Sequence, residues 1–137
     1  AEIKNFIHYL ESYPFVIGCR YLKGGKCLMQ GRRLFLSKYG NLFMKLFLNI
    51  DCAEFTSSYR GFNIKKLHGF NLEQIKPAGY SFFMGTVFEI YKRKFEVKQI
   101  PIVFKDRIYG YSKIPRIEIL RTLFNLLKLK IKNFNIF

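Results

Sequence analysis

Ile100-Pro101-Ile102-Val103-Phe104, then Lys105, then Asp106-Arg107-Ile108-Tyr109-Gly110-Tyr111-Ser112-Lys113 is the stretch on which the fold turns. An apolar, β-branched run gives way to a polar loop containing glycine. Val97 to Phe104 reads as a strand. Pro101 marks an edge or a bulge, because proline cannot donate to a strand ladder. Residues 105–115 read as the loop that follows. Its side chains suit a phosphate: Arg forks onto two oxygens, Lys is a point charge, and hydroxyls and loop N–H groups complete the shell. Thr56-Ser57-Ser58-Tyr59-Arg60-Gly61-Phe62 has the same character. By composition alone, either segment is equally well a solvated surface loop.

Outward from these loops, the chain alternates helices and strands. Ile3, Phe6, Ile7 and Leu10 recur at helical spacing in residues 2–12. Phe15, Val16 and Ile17 form a short buried-strand signal closed by Gly18. Residues 20–32 carry Gly24, Gly25 and Gly31 among four basic side chains (Arg20, Lys23, Lys26 and Arg32), which predicts a mobile basic loop. Residues 33–49 read as a helix with Phe35, Tyr39, Leu42, Phe43 and Leu46 on one face. Residues 55–62 are β-prone. Short helices are expected at 63–68 and 71–76, a turn at Pro77 and Gly79, and a longer helix over 81–94. The last helix runs from Arg116 to Phe134. Ile117, Leu120, Phe124, Leu127 and Ile131 make one stripe on it, enough to dock it on the domain. Ile119, Leu126 and Leu129 form a second apolar side with Lys neighbours. That side suits the headgroup zone of an anionic membrane, or a second buried contact.

Composition bounds the class. The chain has 137 residues, half of them hydrophobic, which suffices for a packed core and excludes intrinsic disorder. A net charge of +15 from 24 basic and 9 acidic residues calls for a polyanionic neighbour, or reflects a bias toward lysine-rich composition. Cys19, Cys27 and Cys52 are odd in number and lack metal-ligand spacing, which fits a reducing compartment. His8 and His68 are isolated. No apolar run approaches the ~20 residues of a transmembrane helix. A first residue of Ala, reading as mid-helix, suggests that the chain begins inside a larger protein.

Order and spacing sharpen the loop signals. Asp106 to Lys113 resembles the D-R-x-Y-G-x-S-K segment of dolichyl-phosphate mannose synthases, which are family-two glycosyltransferases of the GT-A fold. Upstream, Gly18-Cys19-Arg20-Tyr21 with Gly24-Gly25 is similar to that family's G-S-R-Y…G-G loop. Arg33, Ser37 and Asn41 match its R-x-x-x-S-x-x-x-N helix. Glu54-Phe55-Thr56-Ser57-Ser58-Tyr59-Arg60 resembles D-x-T-S-G-F-R, and Gly79-Tyr80-Ser81-Phe82 the start of the next helix. Glu118 and the apolar tail resemble the final amphipathic helix. The likeness spans nearly all of this chain and about the C-terminal half of the family.

The resemblance implies an α/β fold: the C-terminal portion of a Rossmann-like GT-A mixed sheet, with amphipathic interfacial helices. Residues 1–137 would be the acceptor-binding part of one glycosyltransferase domain without its nucleotide-binding half, and residues 116–134 an interfacial helix. The implied enzyme is a hexosyltransferase of the dolichyl-phosphate β-D-mannosyltransferase type, at the cytoplasmic face of a membrane. It moves a sugar, mannose above all, from a nucleotide sugar to a polyprenyl phosphate with inversion. Arg20, Arg33 and Ser37 would grip the acceptor phosphate, with Arg107, Ser112 and Lys113 reaching it from the opposite loop. Glu54, Thr56, Ser57, Arg60 and Asp106 would line the site. A divalent metal, Mg or Mn, is expected for the complete enzyme. Its D-x-D ligands are absent from the nine acidic residues here. Glu54 stands where the family has Asp, and Gly85 where it has Glu. Two other readings remain: a basic membrane- or nucleic-acid-binding module, and a non-catalytic remnant of the same family.

Overall fold

The computed structural model describes residues 2–76, 79–106, 108 and 115–134. At its centre lies β1 (Phe15–Cys19), whose five residues are all buried. An apolar run without alternation is what a strand covered on both faces requires. β1 pairs antiparallel with β3 (Arg60–Phe62), Phe15 opposite Phe62, and parallel with β4 (Val97–Pro101), Phe15 opposite Val97. The sheet order is therefore β3-β1-β4. A second, two-stranded parallel sheet joins β2 (Lys26–Cys27) to β5 (Val103–Phe104). The architecture is mixed α/β, compatible with part of a GT-A Rossmann-like fold.

Among the described residues, four helices surround these sheets: α1 (Glu2–Ser12), α2 (Gly31–Leu48), α3 (Tyr80–Lys92) and α4 (Arg116–Phe134). Two 3-10 turns, Ile64–Lys66 and Leu72–Gln74, occupy the places expected of short helices; Asn63 and Asn71 cap them through their side chains. The core gathers Phe15, Ile17, Phe55, Met84, Phe88 and Leu126 around the sheet. Cys19 and Cys52 are buried in it, and all three cysteines are free thiols. Among the described residues, no helix is long and apolar enough to cross a membrane.

Four expectations need correction. The strand expected over Val97 to Phe104 is two strands. At Ile102 the chain leaves one sheet for the other: its N–H donates to Cys19 O (3.1 Å), and its carbonyl accepts from Lys26 N–H (3.0 Å). The β-prone segment 55–62 pairs only from Arg60 onward. Upstream, side chains take the backbone donors that a ladder would need: Phe55 N–H goes to Asn41 Oδ1, Thr56 N–H to Glu54 Oε1 and Tyr59 N–H to Ser57 Oγ. The basic segment 20–32 is partly regular, holding β2 and the first turn of α2. A Cβ on Gly25 would lie 2.6 Å from Cys19 O, so only glycine lets this segment fold back so closely on β1.

The fourth correction concerns α4. Its two apolar sides exchange roles. Ile117, Leu120, Phe124, Leu127 and Ile131 all face outward, more than half exposed. The docked side carries Leu126, which is 2 % exposed, and the half-buried Leu129. Two lysines hold this rotation. Lys130 Nζ donates to Phe47 O on α2 (2.6 Å), and Lys132 Nζ meets Glu89 on α3 (2.7 Å). On α2 the apolar face of Phe35, Tyr39, Leu42, Phe43 and Leu46 is exposed, which needs no correction, whereas Asn41, Met44 and Leu48 are buried.

Candidate acceptor-binding cleft

A cleft of about 940 Å³ opens between α2, α4 and the ends of the strands. Its two ends differ in chemistry. Arg20, Arg33, Ser37, Thr56 and Ser57 line one part, while the rest is mainly apolar, with Phe43, Met44, Leu123 and Leu126, and also carries Glu118 and Thr122. Helical spacing builds the polar end: Arg33, Ser37 and Asn41 are four residues apart and share a face of α2. β1 ends at Cys19 and delivers Arg20 to the same place.

Arg20 is itself nearly buried. Its Nε donates to Glu54 Oε2 (2.8 Å), and its Nη2 to Glu54 Oε1 (2.7 Å) and Thr56 Oγ1 (3.0 Å). Glu54 is fully buried, so this is a bidentate pair out of water. Burial alone would lower the Arg20 guanidinium, but the hydrogen bonds and charge of Glu54 outweigh it and hold it above its ordinary value. Nη1 has no hydrogen-bond partner among the described residues.

Asn41 braces this corner. Its Nδ2 donates to Ser37 O (2.8 Å) and Thr56 Oγ1 (3.3 Å), and its Oδ1 accepts from Phe55 N–H (2.6 Å). One fully buried amide thus ties α2 to the 54–56 loop. Tyr21, next to Arg20, donates its hydroxyl to Ser37 Oγ (2.6 Å). Burial pushes the Tyr21 phenol up to about 12, so it is neutral at ordinary pH.

Arg33 is more open. Its Nη1 bridges both oxygens of Asp106 (3.1 and 3.2 Å), and the two side chains are 40 % and 36 % exposed. This pair joins the first turn of α2 to the segment after β5. Arg107, Ser112 and Lys113 lie outside the described residues.

The residues expected to line the site divide. Thr56 and Ser57 are in the cleft wall; Glu54, Arg60 and Asp106 stand behind or beside it. Arg60 is a clamp on main-chain carbonyls, donating to Ser57 O (2.5 and 2.9 Å), Phe83 O (3.0 Å) and Phe55 O (3.4 Å), with Phe83 packed against its guanidinium. Burial lowers its pKa to about 10, which still leaves it charged. Sequence reasoning passed over Tyr21 and Asn41 as site residues, although both stand in the quoted motifs. It also missed Glu118 as a wall residue. The Glu118 carboxylate approaches Gly79 at the start of α3 and pairs with Arg121. At Gly85, an added Cβ would meet Ile75 Cγ2 at 3.2 Å, so a glutamate there would have to displace that neighbour.

Among the described residues, no cluster of three His, Cys, Asp or Glu side chains is placed to hold a metal ion. The carboxylates nearest the cleft are committed to arginines. The donor set of the described residues does not fit a divalent cation.

No protein-family model matches the chain. Two curated proteins are similar to it. An undecaprenyl-phosphate mannosyltransferase of Micrococcus luteus is 25 % identical over 114 residues, covering 82 % of this chain and 47 % of that protein. A polyprenol monophosphomannose synthase of Mycolicibacterium smegmatis is 31 % identical over 99 residues, covering 72 % and 37 %. The chain thus matches less than half the length of either. With this likeness added to the motif order and the mixed α/β fold, the chain is dolichyl-phosphate mannose synthase-like.

Proposed function

We propose that this chain is the acceptor-binding part of a glycosyltransferase that moves a sugar, mannose above all, from a nucleotide sugar to a polyprenyl phosphate with inversion. The observation that carries this reading is one cleft with a cationic end and an apolar end, opening beside the outward apolar faces of α2 and α4. A polyprenyl phosphate has those two halves. Arg33, Ser37 and the Nη1 side of Arg20 would hold the phosphate, with Arg107, Ser112 and Lys113 as further donors. The tail would leave along Phe43 and Leu123 into lipid. Phe35, Leu46, Leu120 and Phe124, with Lys38, Lys45, Arg121 and Lys128 on the same helices, would rest on the cytoplasmic face of an anionic bilayer.

The chemistry asked of these residues is modest. A lipid-phosphate oxygen attacks the anomeric carbon of the nucleotide sugar, and the nucleoside diphosphate departs from the opposite face. The nucleophile is already anionic, so positioning and charge neutralisation matter more than a general base. Mg or Mn, expected for the complete enzyme, finds no ligand set among the described residues, and no step here is routed through it.

Vesicle flotation tests the reading. The chain should float with phosphatidylcholine vesicles carrying phosphatidylserine, and more strongly when they also carry a polyprenyl phosphate. Phe124→Glu, on the outward stripe, should reduce flotation severalfold. A chain that ignores both kinds of vesicle but shifts an oligonucleotide in a gel would be a nucleic-acid module instead. The isolated chain should transfer no sugar from GDP-mannose or UDP-glucose.

A further inference from the structure

We infer that Tyr21 is a positioning residue that turns the Ser37 hydroxyl into a hydrogen-bond donor for the acceptor phosphate. The inference rests on the acceptor-site reading above and assigns a role within that site. A serine hydroxyl carries one proton and two lone pairs. A helical serine commonly spends its proton on the carbonyl one turn back, which would leave only lone pairs facing an anion and repel it. Here the Tyr21 hydroxyl approaches Ser37 Oγ at 2.6 Å, and its single proton fills one of those lone pairs. Its other polar neighbour, Cys27 Sγ, lies 3.8 Å away and is a weak acceptor. Ser37 Oγ makes no bond to the carbonyl one turn back, unlike Thr86 to Phe82 O, so with Tyr21 as its donor its own proton can point into the cleft that Ser37 lines. Accepting a hydrogen bond also makes a hydroxyl a stronger donor.

The placement of Tyr21 keeps this arrangement in one protonation state. Burial holds the phenol neutral well past ordinary pH. A phenolate would reverse the bond by drawing the Ser37 proton toward itself. The guanidinium of Arg20 packs against the Tyr21 ring at 5.3 Å, so the ring is held by a residue already fixed to Glu54. One turn of chain, Arg20-Tyr21, therefore supplies a cation directly and a second donor by proxy.

Tyr21→Phe removes the proton and keeps the ring. Binding of farnesyl phosphate and of farnesol to the chain separates the phosphate contribution from the apolar one. The expected result is about ten-fold weaker farnesyl phosphate binding with farnesol binding unchanged. Ser37→Ala should lose a similar factor, and Tyr21→Phe added to Ser37→Ala should lose nothing more. Equal weakening toward both ligands would mean that Tyr21 only supports the fold. An undiminished effect in the Ser37→Ala background would mean that it acts elsewhere. Either outcome overturns the inference, as does unaltered farnesyl phosphate binding by Tyr21→Phe. If the parent chain binds farnesyl phosphate no better than farnesol, the acceptor-site reading itself falls and takes this role with it.

Discussion

Of the arginine–carboxylate pairs that flank the cleft among the described residues, the two at its polar part are built in opposite ways. Arg20 and Glu54 are buried, bidentate and further joined by Thr56. Arg33 and Asp106 stand more than a third exposed, and a single guanidinium nitrogen serves both carboxylate oxygens. The first pair repays its desolvation only by staying intact, since removing one partner strands a charge out of water. The second is partly open to solvent, which screens it and lowers its contribution. On the acceptor-site reading proposed above, an incoming phosphate would compete with Asp106 for Arg33 at small cost. It would not displace Glu54 and would use what Glu54 leaves. One arginine is framework with a free edge, and the other is an exchangeable hand.

The largest expected effect breaks the framework pair. Glu54→Ala should destabilise the chain by about 3–5 kcal/mol, enough to unfold a small domain. Urea unfolding monitored by circular dichroism measures this; a loss below about 1 kcal/mol would make the buried pair no different from the exposed one.

An intermediate effect tests the burial beside that pair through pH. The Tyr21 phenol is pushed up to about 12 by burial, and burial also raises that of Tyr91. A phenol that ionises later when folded binds more protons in the native state. Its contribution is present below the unfolded value near 10 and is lost as pH rises toward the folded one. Thermal unfolding should therefore fall steeply above about pH 10, and Tyr21→Phe should flatten part of that fall. An unchanged slope would place Tyr21 in water.

The smallest effect on stability comes from the open pair. Asp106→Asn should cost no more than about 1 kcal/mol. It should instead strengthen farnesyl phosphate binding severalfold by releasing Arg33, with the gain shrinking as salt is raised. Weaker binding in this variant would show that Asp106 orients Arg33 and does not compete for it.

Much of this fold was legible from periodicity. The limits of α1, α2 and α4 follow from apolar spacing, and the unbroken apolar run at Phe15 marks the central strand. What failed did so where two solutions were locally equivalent. Both apolar sides of α4 have helical spacing, and the choice between them rests on Lys130 and Lys132 reaching α2 and α3. The break at Ile102 depends on partners some eighty residues earlier in the chain. In the site, motif order gathered Arg20, Arg33, Ser37, Thr56 and Ser57 onto one cleft. It could not reveal that most of the Arg20 fork is taken by Glu54, or that Arg60 spends its donors on carbonyls. Those are facts of distance between segments, not of residue type.

Asn41 gives the cleft one stationary jaw. Its amide stitches α2 to the 54–56 loop at the cationic end, while α4, the other jaw, is moored to α2 and α3 by two lysine tips and a short apolar seam. On the acceptor-site reading proposed above, tails of different girth would be accommodated at α4, while the spacing of Arg20, Arg33 and Ser37 at the braced end would stay the same.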